Sequence, residues 1–194
     1  MEHKHYIEFT LTLNGNQESI ESAKQMMKGS ISLFDFDRII PEPKGLLGSN
    51  CLYHEGSVMA DVGMDIIDGN NDRFGRLSDL IIPQKLDEIR NKCQTMENNR
   101  KVYGYRTLDS WRQDNWGTDS NAYDVTNKEN VFHFKANDYP TKVMETLSKW
   151  FPDIEFNVFT RDVIVEEKEV LFKGGELHGR IYGHSWSPYD DLPF

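Results

Sequence analysis

Cysteine is scarce in this chain: its 194 residues include two, Cys51 and Cys93. Neither belongs to a Cys-x-x-Cys pair or adjoins a histidine cluster, so the sequence contains no zinc, thiol-exchange or iron–sulfur motif. No segment approaches the roughly 20 apolar residues of a membrane-spanning helix, and the opening stretch MEHKHYIEF lacks the apolar core of a signal peptide. These absences predict a soluble cytoplasmic protein with reduced thiols, no cofactor and no membrane contact.

Basic residues are also few, with 22 Lys and Arg against 32 Asp and Glu, which gives a net charge of -10. The acidic residues are spread along the chain and form no acidic tail. Affinity for duplex nucleic acid comes largely from cations that neutralise phosphates, so the composition disfavours that partner. An acidic surface favours a basic protein partner instead, because complementary charge speeds encounter.

Motifs that define a reaction are missing as well. The six histidines lie outside any Gly-x-Ser-x-Gly or comparable context, and we interpret His133 as a packed or sheet-edge residue. Gly174-Gly175 precedes strand-like residues and not a helix, so it cannot act as a phosphate loop. The acidic run at residues 65–72 lacks calcium-loop spacing and a closing Glu, and a turn is the favoured interpretation. The sequence predicts neither a catalytic residue nor a metal site.

The first third of the chain has the pattern of a strand, a helix and a second strand. Residues 5–13 alternate between polar and apolar side chains, as a half-buried strand does. Asn16 can cap a helix over residues 17–28, in which Ile20, Ala23 and Met27 share one side. Residues 32–40 (SLFDFDRII) alternate again before a Pro-Glu-Pro stop, which predicts the second strand.

The last third repeats this plan and adds a hairpin. Asn137 or Asp138 is expected to cap its helix, with Pro140 in the first turn. Two glycines, Gly174 and Gly175, supply the positive φ values of a tight hairpin turn. The predicted elements are a strand at 130–135, a helix at 140–150, a strand at 154–159 and a hairpin at 169–182.

Together these patterns predict an α+β fold: a ferredoxin-like antiparallel sheet with two helices on one face and a helical insertion. The single domain would comprise a core of residues 1–43 and 125–182, an insertion at 44–124 with helical pieces on either side of Pro83, and an irregular tail at 183–194. The predicted core residues are Phe9, Leu11, Phe36, Phe132, Phe134, Leu147, Phe151, Phe156 and Val158.

The segment WRQDNWGTDSNAYD at residues 111–124 is the richest in chemistry, since it combines large rings with Gly, Asn and Asp. On a structural interpretation its rings cover one end of the sheet, and Asn121 and Asp124 satisfy buried backbone groups. The alternative is a small-ligand or enzyme site, because aromatic pockets with a few polar groups are common binding sites. The candidate ligand-binding residues are Trp111, Trp116, Thr118, Asn121, Tyr123 and Asp124.

Three stretches carry a resemblance to a known family: FDFDRIIPEP at 34–43, NWGTDSNAYD at 115–124, and LSKWFP at 147–152 followed by the GGEL hairpin. With these motifs the chain resembles the ferredoxin-like domain proteins of the YubB type, found among uncharacterised proteins of plasmids, phages and bacterial genomes. It departs from them at Asp119 and Ser120, where the family usually has Lys and Trp. The resemblance implies the fold and a plasmid or phage association, but no reaction.

The sequence therefore predicts a non-enzymatic binding or accessory module whose acidic surface engages a protein. The first alternative is a ligand binder or enzyme that uses residues 111–124. The second is a single-stranded nucleic-acid binder, since ferredoxin-like sheets can stack bases on exposed rings. Against it, Phe132 and Phe134 share one strand face with core character, and no basic-aromatic motif accompanies them.

Overall fold

A computed structural model describes residues 6–46, 83–161 and 168–178, except for the side chains of residues 83–90, 93 and 168. The acidic run at 65–72, the helical piece before Pro83, the end of the hairpin at 179–182 and the tail at 183–194 lie outside these residues. Within them, no helix has both the length and the apolar character needed to cross a bilayer.

The described strands form one antiparallel sheet in the order β2-β3-β1-β4-β5-β6. The strands are β1 (Ile7–Gly15), β2 (Tyr123–Lys128), β3 (Val131–Ala136), β4 (Ile154–Arg161), β5 (Lys168–Lys173) and β6 (Glu176–His178). The helices are α1 (Gln17–Met27), α2 (Pro83–Tyr103), α3 (Leu108–Trp116) and α4 (Thr141–Trp150). The predicted α+β class is confirmed, and the ferredoxin-like topology stays a prediction.

One face of the sheet is buried and the other is not. Alternate residues of β1 are buried, and the strand register puts Phe9 beside Phe134 and Leu11 beside both Phe132 and Val158. The rings of Phe9 and Phe134 are stacked with their centroids 4.9 Å apart. Helices α1 and α4 both contact this sheet, so they cover its apolar face. All predicted core residues are buried except Phe151, which is half-buried.

Local capping explains where α1 begins and why one cap prediction is wrong. Asn16 Oδ1 accepts hydrogen bonds from the backbone N–H groups of Glu18 (2.9 Å) and Ser19 (3.3 Å), as predicted. At α4 the N-cap residue is Pro140, and no side chain caps the helix. Asn137 and Asp138 therefore do not cap α4, because they are engaged by the segment that precedes β2.

The second predicted strand is wrong. Residues 32–40 form turns and a short 3₁₀ helix, Phe36–Arg38, which begins where Asp35 Oδ1 accepts from the N–H of Asp37 at 3.1 Å. Phe34 and Phe36 are buried, so the alternation reflects packing of an irregular segment and not a sheet ladder. The strand next to β3 is instead β2, whose polar sequence YDVTNK and irregular register between Tyr123 and Thr126 concealed it.

The hairpin is confirmed over its described part. Strands β5 and β6 pair with Lys173 opposite Glu176, and the two glycines between them have φ values of 62° and 87°. This is the left-handed backbone that the pair of glycines predicted.

The chain divides into two compact units. One comprises Met1–Pro41 and Arg112–Phe194 and contains the whole sheet. The other comprises Glu42–Trp111 and contains α2, which is a single continuous helix from Pro83 onward.

Candidate functional site

The tryptophan-rich segment begins as a helix, since residues 111–116 belong to α3. Trp116 is fully buried, and its indole N–H donates to the carbonyl of Ile40 at 2.9 Å. The ring meets Phe36 edge-on at 5.6 Å, and the Arg112 guanidinium lies 5.1 Å from its centre. Trp116 therefore anchors the end of the 34–40 segment in the core.

Residues 117–120 bind the turn that leads into α4. Gly117 has a φ of 90°, and a Cβ atom there would lie 2.5 Å from the carbonyl oxygen of Tyr139. Thr118 is fully buried, and its Oγ1 accepts from the N–H of Asp138 at 3.1 Å. Ser120 Oγ accepts from the N–H of Asn137 at 2.9 Å. The side chains that were predicted to cap α4 bond elsewhere: the Asn137 amide donates to Asp119 Oδ1 at 2.9 Å, and Asp138 Oδ1 accepts from the N–H of Tyr139 at 2.8 Å.

Asn121 binds the 34–40 segment from the other side. Its Oδ1 accepts from the N–H groups of Phe36 (2.9 Å) and Ala122 (2.8 Å), and its amide donates to Asp35 Oδ1 at 2.7 Å. As the structural interpretation predicted, this side chain satisfies backbone groups. We call Trp116, Thr118, Ser120 and Asn121 the polar clamp, because they hold residues 35–40 and 137–138 in place.

The remaining candidate residues do not join the clamp. Trp111 is buried, Tyr123 is half-buried, and the Asp124 carboxylate is 66% exposed. The prediction that Asp124 satisfies buried backbone is wrong, because it sits at a φ of 52° on strand β2 and pairs with Lys135. The structure thus divides the six residues between a packed interior and the sheet surface.

A second candidate site lies on the sheet face opposite to α1 and α4, which we call the uncovered face. This face has a hollow near its centre. The hollow has a volume of about 350 Å³. The register aligns Lys135, Glu8 and Arg161 in one cross-strand row, and His133, Thr10 and Phe159 in the next. The side chains around the hollow are those of Glu8, Thr10, Asp124, His133, Lys135, Phe159 and Arg161.

Lys135 occupies a cage of one ring and two carboxylates at the edge of this hollow. Its ammonium lies 3.2 Å from Asp124, 3.9 Å from Glu8 and 4.6 Å from the centre of the Tyr6 ring. The hydrogen bond to Asp124 is the main reason why the pKa of Lys135 is raised. Burial is the main reason why the pKa of Tyr123, its neighbour across β2 and β3, is raised.

Phe159 lies across Thr10 from His133, whose Nδ1 is 3.0 Å from Thr10 Oγ1. The Phe159 ring is half-buried, and it faces Glu169 on the neighbouring strand. Among the described residues, no other ring stacks on the Phe159 ring and no cation lies over it.

Sequence reasoning missed this face. The alternation of residues 5–13 identified the polar side of β1, but the neighbours of that side depend on strand register. Lys135 is two residues after His133, so the two side chains lie on the same face of their strand. This spacing was the signal that the sequence offered. Within the described part of the chain, no group of three metal-ligating side chains comes together, so we assign no ion to either site.

Comparisons with known proteins give one distant likeness. No family model matches the chain, and no curated protein matches it. Among solved structures, it is similar to the protein api92 from Yersinia pseudotuberculosis, described by the family model DUF1281, with 10% sequence identity and a TM-score of 0.43. The likeness covers 95% of this chain and 100% of the other.

Proposed function

We propose that this chain is a non-enzymatic binding module that receives a basic protein partner on the uncovered face of its sheet. The observation that carries the proposal is the hollow of about 350 Å³ on the sheet face opposite to α1 and α4. Antiparallel sheets often leave one face to solvent, and such a face is usually polar throughout. On this face the hollow makes the surface concave, and the half-buried ring of Phe159 lines it.

The charge of the molecule favours a basic partner. The net charge of -10 attracts cations over a distance of about one Debye length, roughly 8 Å at physiological salt. On the uncovered face itself, basic residues are slightly outnumbered. Its described carboxylates are Glu8, Asp124, Glu155, Glu169 and Glu176, and its basic side chains are Lys128, Lys135, Arg161 and Lys173.

The two alternative functions have less support. Trp116 and Thr118 are fully buried, and Asn121 accepts a hydrogen bond from a backbone N–H. These residues therefore serve mainly to hold the fold together. A single-stranded nucleic-acid site would need more cations than carboxylates on the uncovered face. Phe132 and Phe134, the ring pair considered for stacking, lie in the core.

Substitution of Thr10, at the centre of the hollow, tests the proposal. We expect the immobilised wild-type chain to retain a basic protein from an extract of the source cells and to release it as salt is raised. Thr10→Arg should abolish retention, because it fills the hollow and adds a like charge. Ser22→Arg is the matched control, since Ser22 is exposed on α1.

Identification of the captured protein by mass spectrometry completes the test. A partner that is acidic, that binds Thr10→Arg as well as wild type, or that ignores salt would refute the proposal. Retention of nucleic acid alone would support the single-stranded alternative instead.

A further inference from the structure

We infer that the Phe159 ring is the seat for an arginine side chain of that partner, held between the carboxylates of Glu169 and Glu8. The inference rests on the proposed function and specifies which chemical group of the partner the face recognises. It depends on a comparison between two places on the same sheet face.

The first place is the cage around Lys135. There the face already holds a cation with one aromatic ring and two carboxylates, at 4.6 Å from the Tyr6 ring centre, 3.2 Å from Asp124 and 3.9 Å from Glu8. A ring face attracts a cation through its quadrupole, and nearby carboxylates add charge attraction. The arrangement shows that this surface provides both components at the spacing that a cation requires.

The second place has its own ring, Phe159, and its own carboxylate, Glu169, and it shares Glu8 with the first place. Glu169 is the direct cross-strand neighbour of Phe159, and such neighbours have Cβ atoms about 5 Å apart. Glu8 is the diagonal neighbour on the other side, because it pairs with Arg161, two residues beyond Phe159. Diagonal neighbours lie about 7–8 Å apart, within reach of a long side chain.

The two places differ in whether a cation occupies them. Among the described residues, no cation lies on the Phe159 ring, and Glu169 makes no ion pair. Within the part of the chain that the structure describes, the hollow in front of the ring opens to solvent, and its lining includes the small residue Thr10. A side chain from outside can therefore reach the ring face.

Arginine fits this place better than lysine does. Its planar guanidinium stacks on an aromatic face while its rim of N–H donors engages a carboxylate at the edge. An ammonium is more strongly hydrated and makes only point contacts. The partner group is thus a guanidinium within a basic segment.

A fluorescent hexa-arginine peptide is the probe, and binding to the whole chain is measured by anisotropy at low salt. Phe159→Leu should weaken binding about two- to fivefold, as expected for loss of an exposed cation–ring contact. Glu169→Gln should weaken it by a similar factor. Hexa-lysine should bind more weakly than hexa-arginine and should lose less affinity on Phe159→Leu.

Matched controls separate the site from general charge attraction. Trp150→Leu removes an exposed ring from α4, and Glu145→Gln removes one charge from the same helix. If the two site variants bind hexa-arginine no more weakly than their controls, the inference is refuted while the proposed function stands. If wild type does not bind the peptide at all, both are refuted.

Ring proton resonances provide a second readout that needs no variant. On titration with hexa-arginine, the signals of Phe159 and His133 should shift, and those of Trp150 should not. Unmoved Phe159 signals at saturating peptide would overturn the assignment even if Phe159→Leu failed to fold.

Discussion

Asn121 is the single residue on which the polar clamp depends most, since it makes three hydrogen bonds to two parts of the chain. Asn121→Ala should lower the free energy of unfolding by about 2–3 kcal/mol, because it leaves the N–H of the buried residue Phe36 without its acceptor. Urea denaturation measures the loss. Gln25→Ala, at an exposed position of α1, should stay within about 0.5 kcal/mol.

The same variant distinguishes the structural interpretation of residues 111–124 from the ligand interpretation. If Asn121→Ala kept full stability and removed binding of a small molecule, the clamp would not be the main role of this side chain.

Lys135 owes its raised pKa first to its hydrogen bond with Asp124. Asp124→Asn removes the negative acceptor, so the pKa of Lys135 should fall toward the ordinary value of a lysine. Carbon-13 shifts of the lysine Cε, followed through alkaline pH, measure it. Asn also tolerates the left-handed backbone at this position, which limits side effects.

The direction of the pH dependence follows from linkage. Because the folded-state pKa is raised, these contacts contribute stability that is complete below the ordinary lysine pKa and is lost as pH rises through the folded-state pKa. The variant should therefore show a smaller alkaline loss of stability than wild type. An unchanged Lys135 titration would mean that Tyr6 and Glu8 hold the ammonium without Asp124.

At the scale of elements, two helices end in glycines that can be compared directly. Gly104 follows α2 with a φ of 80°, and Gly117 follows α3 with a φ of 90°. Each donates its N–H to the carbonyl four residues earlier. They differ in surroundings, since a Cβ atom at Gly104 meets nothing within 4 Å.

Alanine at these two positions should therefore have unequal effects. Gly104→Ala should cost about 1 kcal/mol for the left-handed backbone alone. Gly117→Ala should cost about 3 kcal/mol or more, because its Cβ would also lie 2.5 Å from the carbonyl oxygen of Tyr139, and backbone cannot move aside cheaply. Thermal and urea unfolding measure both losses, and equal losses would contradict the close approach.

Elements with strong local signals were predictable from sequence. The alternation of β1, the Asn16 cap and the paired glycines of the β5–β6 hairpin each depend on neighbours in the chain. Strand β2 and the 3₁₀ helix at Phe36–Arg38 were not predictable. Strand β2 forms because its backbone pairs with β3, and the backbone N–H of Phe36 donates to Asn121, 85 residues away.

At the scale of the whole molecule, charge sets the choice of partner. A chain with a net charge of -10 should not bind a short DNA duplex at physiological salt, although it should bind hexa-arginine in low salt. Anisotropy with a labelled duplex checks this. Duplex binding that weakens steeply with salt would reverse the expectation and would point to a basic surface outside the described residues.

The candidate site shows the same limit of prediction as the fold. Residues 111–124 stood out because their composition is unusual, yet Trp111, Trp116 and Thr118 pack inward. The strand register alone creates the row in which Glu8 lies beside Lys135 and Arg161, each more than 120 positions from Glu8 in the chain. Composition revealed the clamp, whereas the hollow required the assembled sheet.

The polar clamp also has a consequence for chain connectivity. Its bonds from Trp116 to Ile40 and from Asn121 to Phe36 span 76 and 85 residues, and they close a loop that contains residues 42–111. The entropy of closing a flexible loop grows only with the logarithm of its length, by about 0.6 kcal/mol for each doubling. Lengthening the stretch between the two ends that the clamp fastens should therefore weaken this closure only slightly.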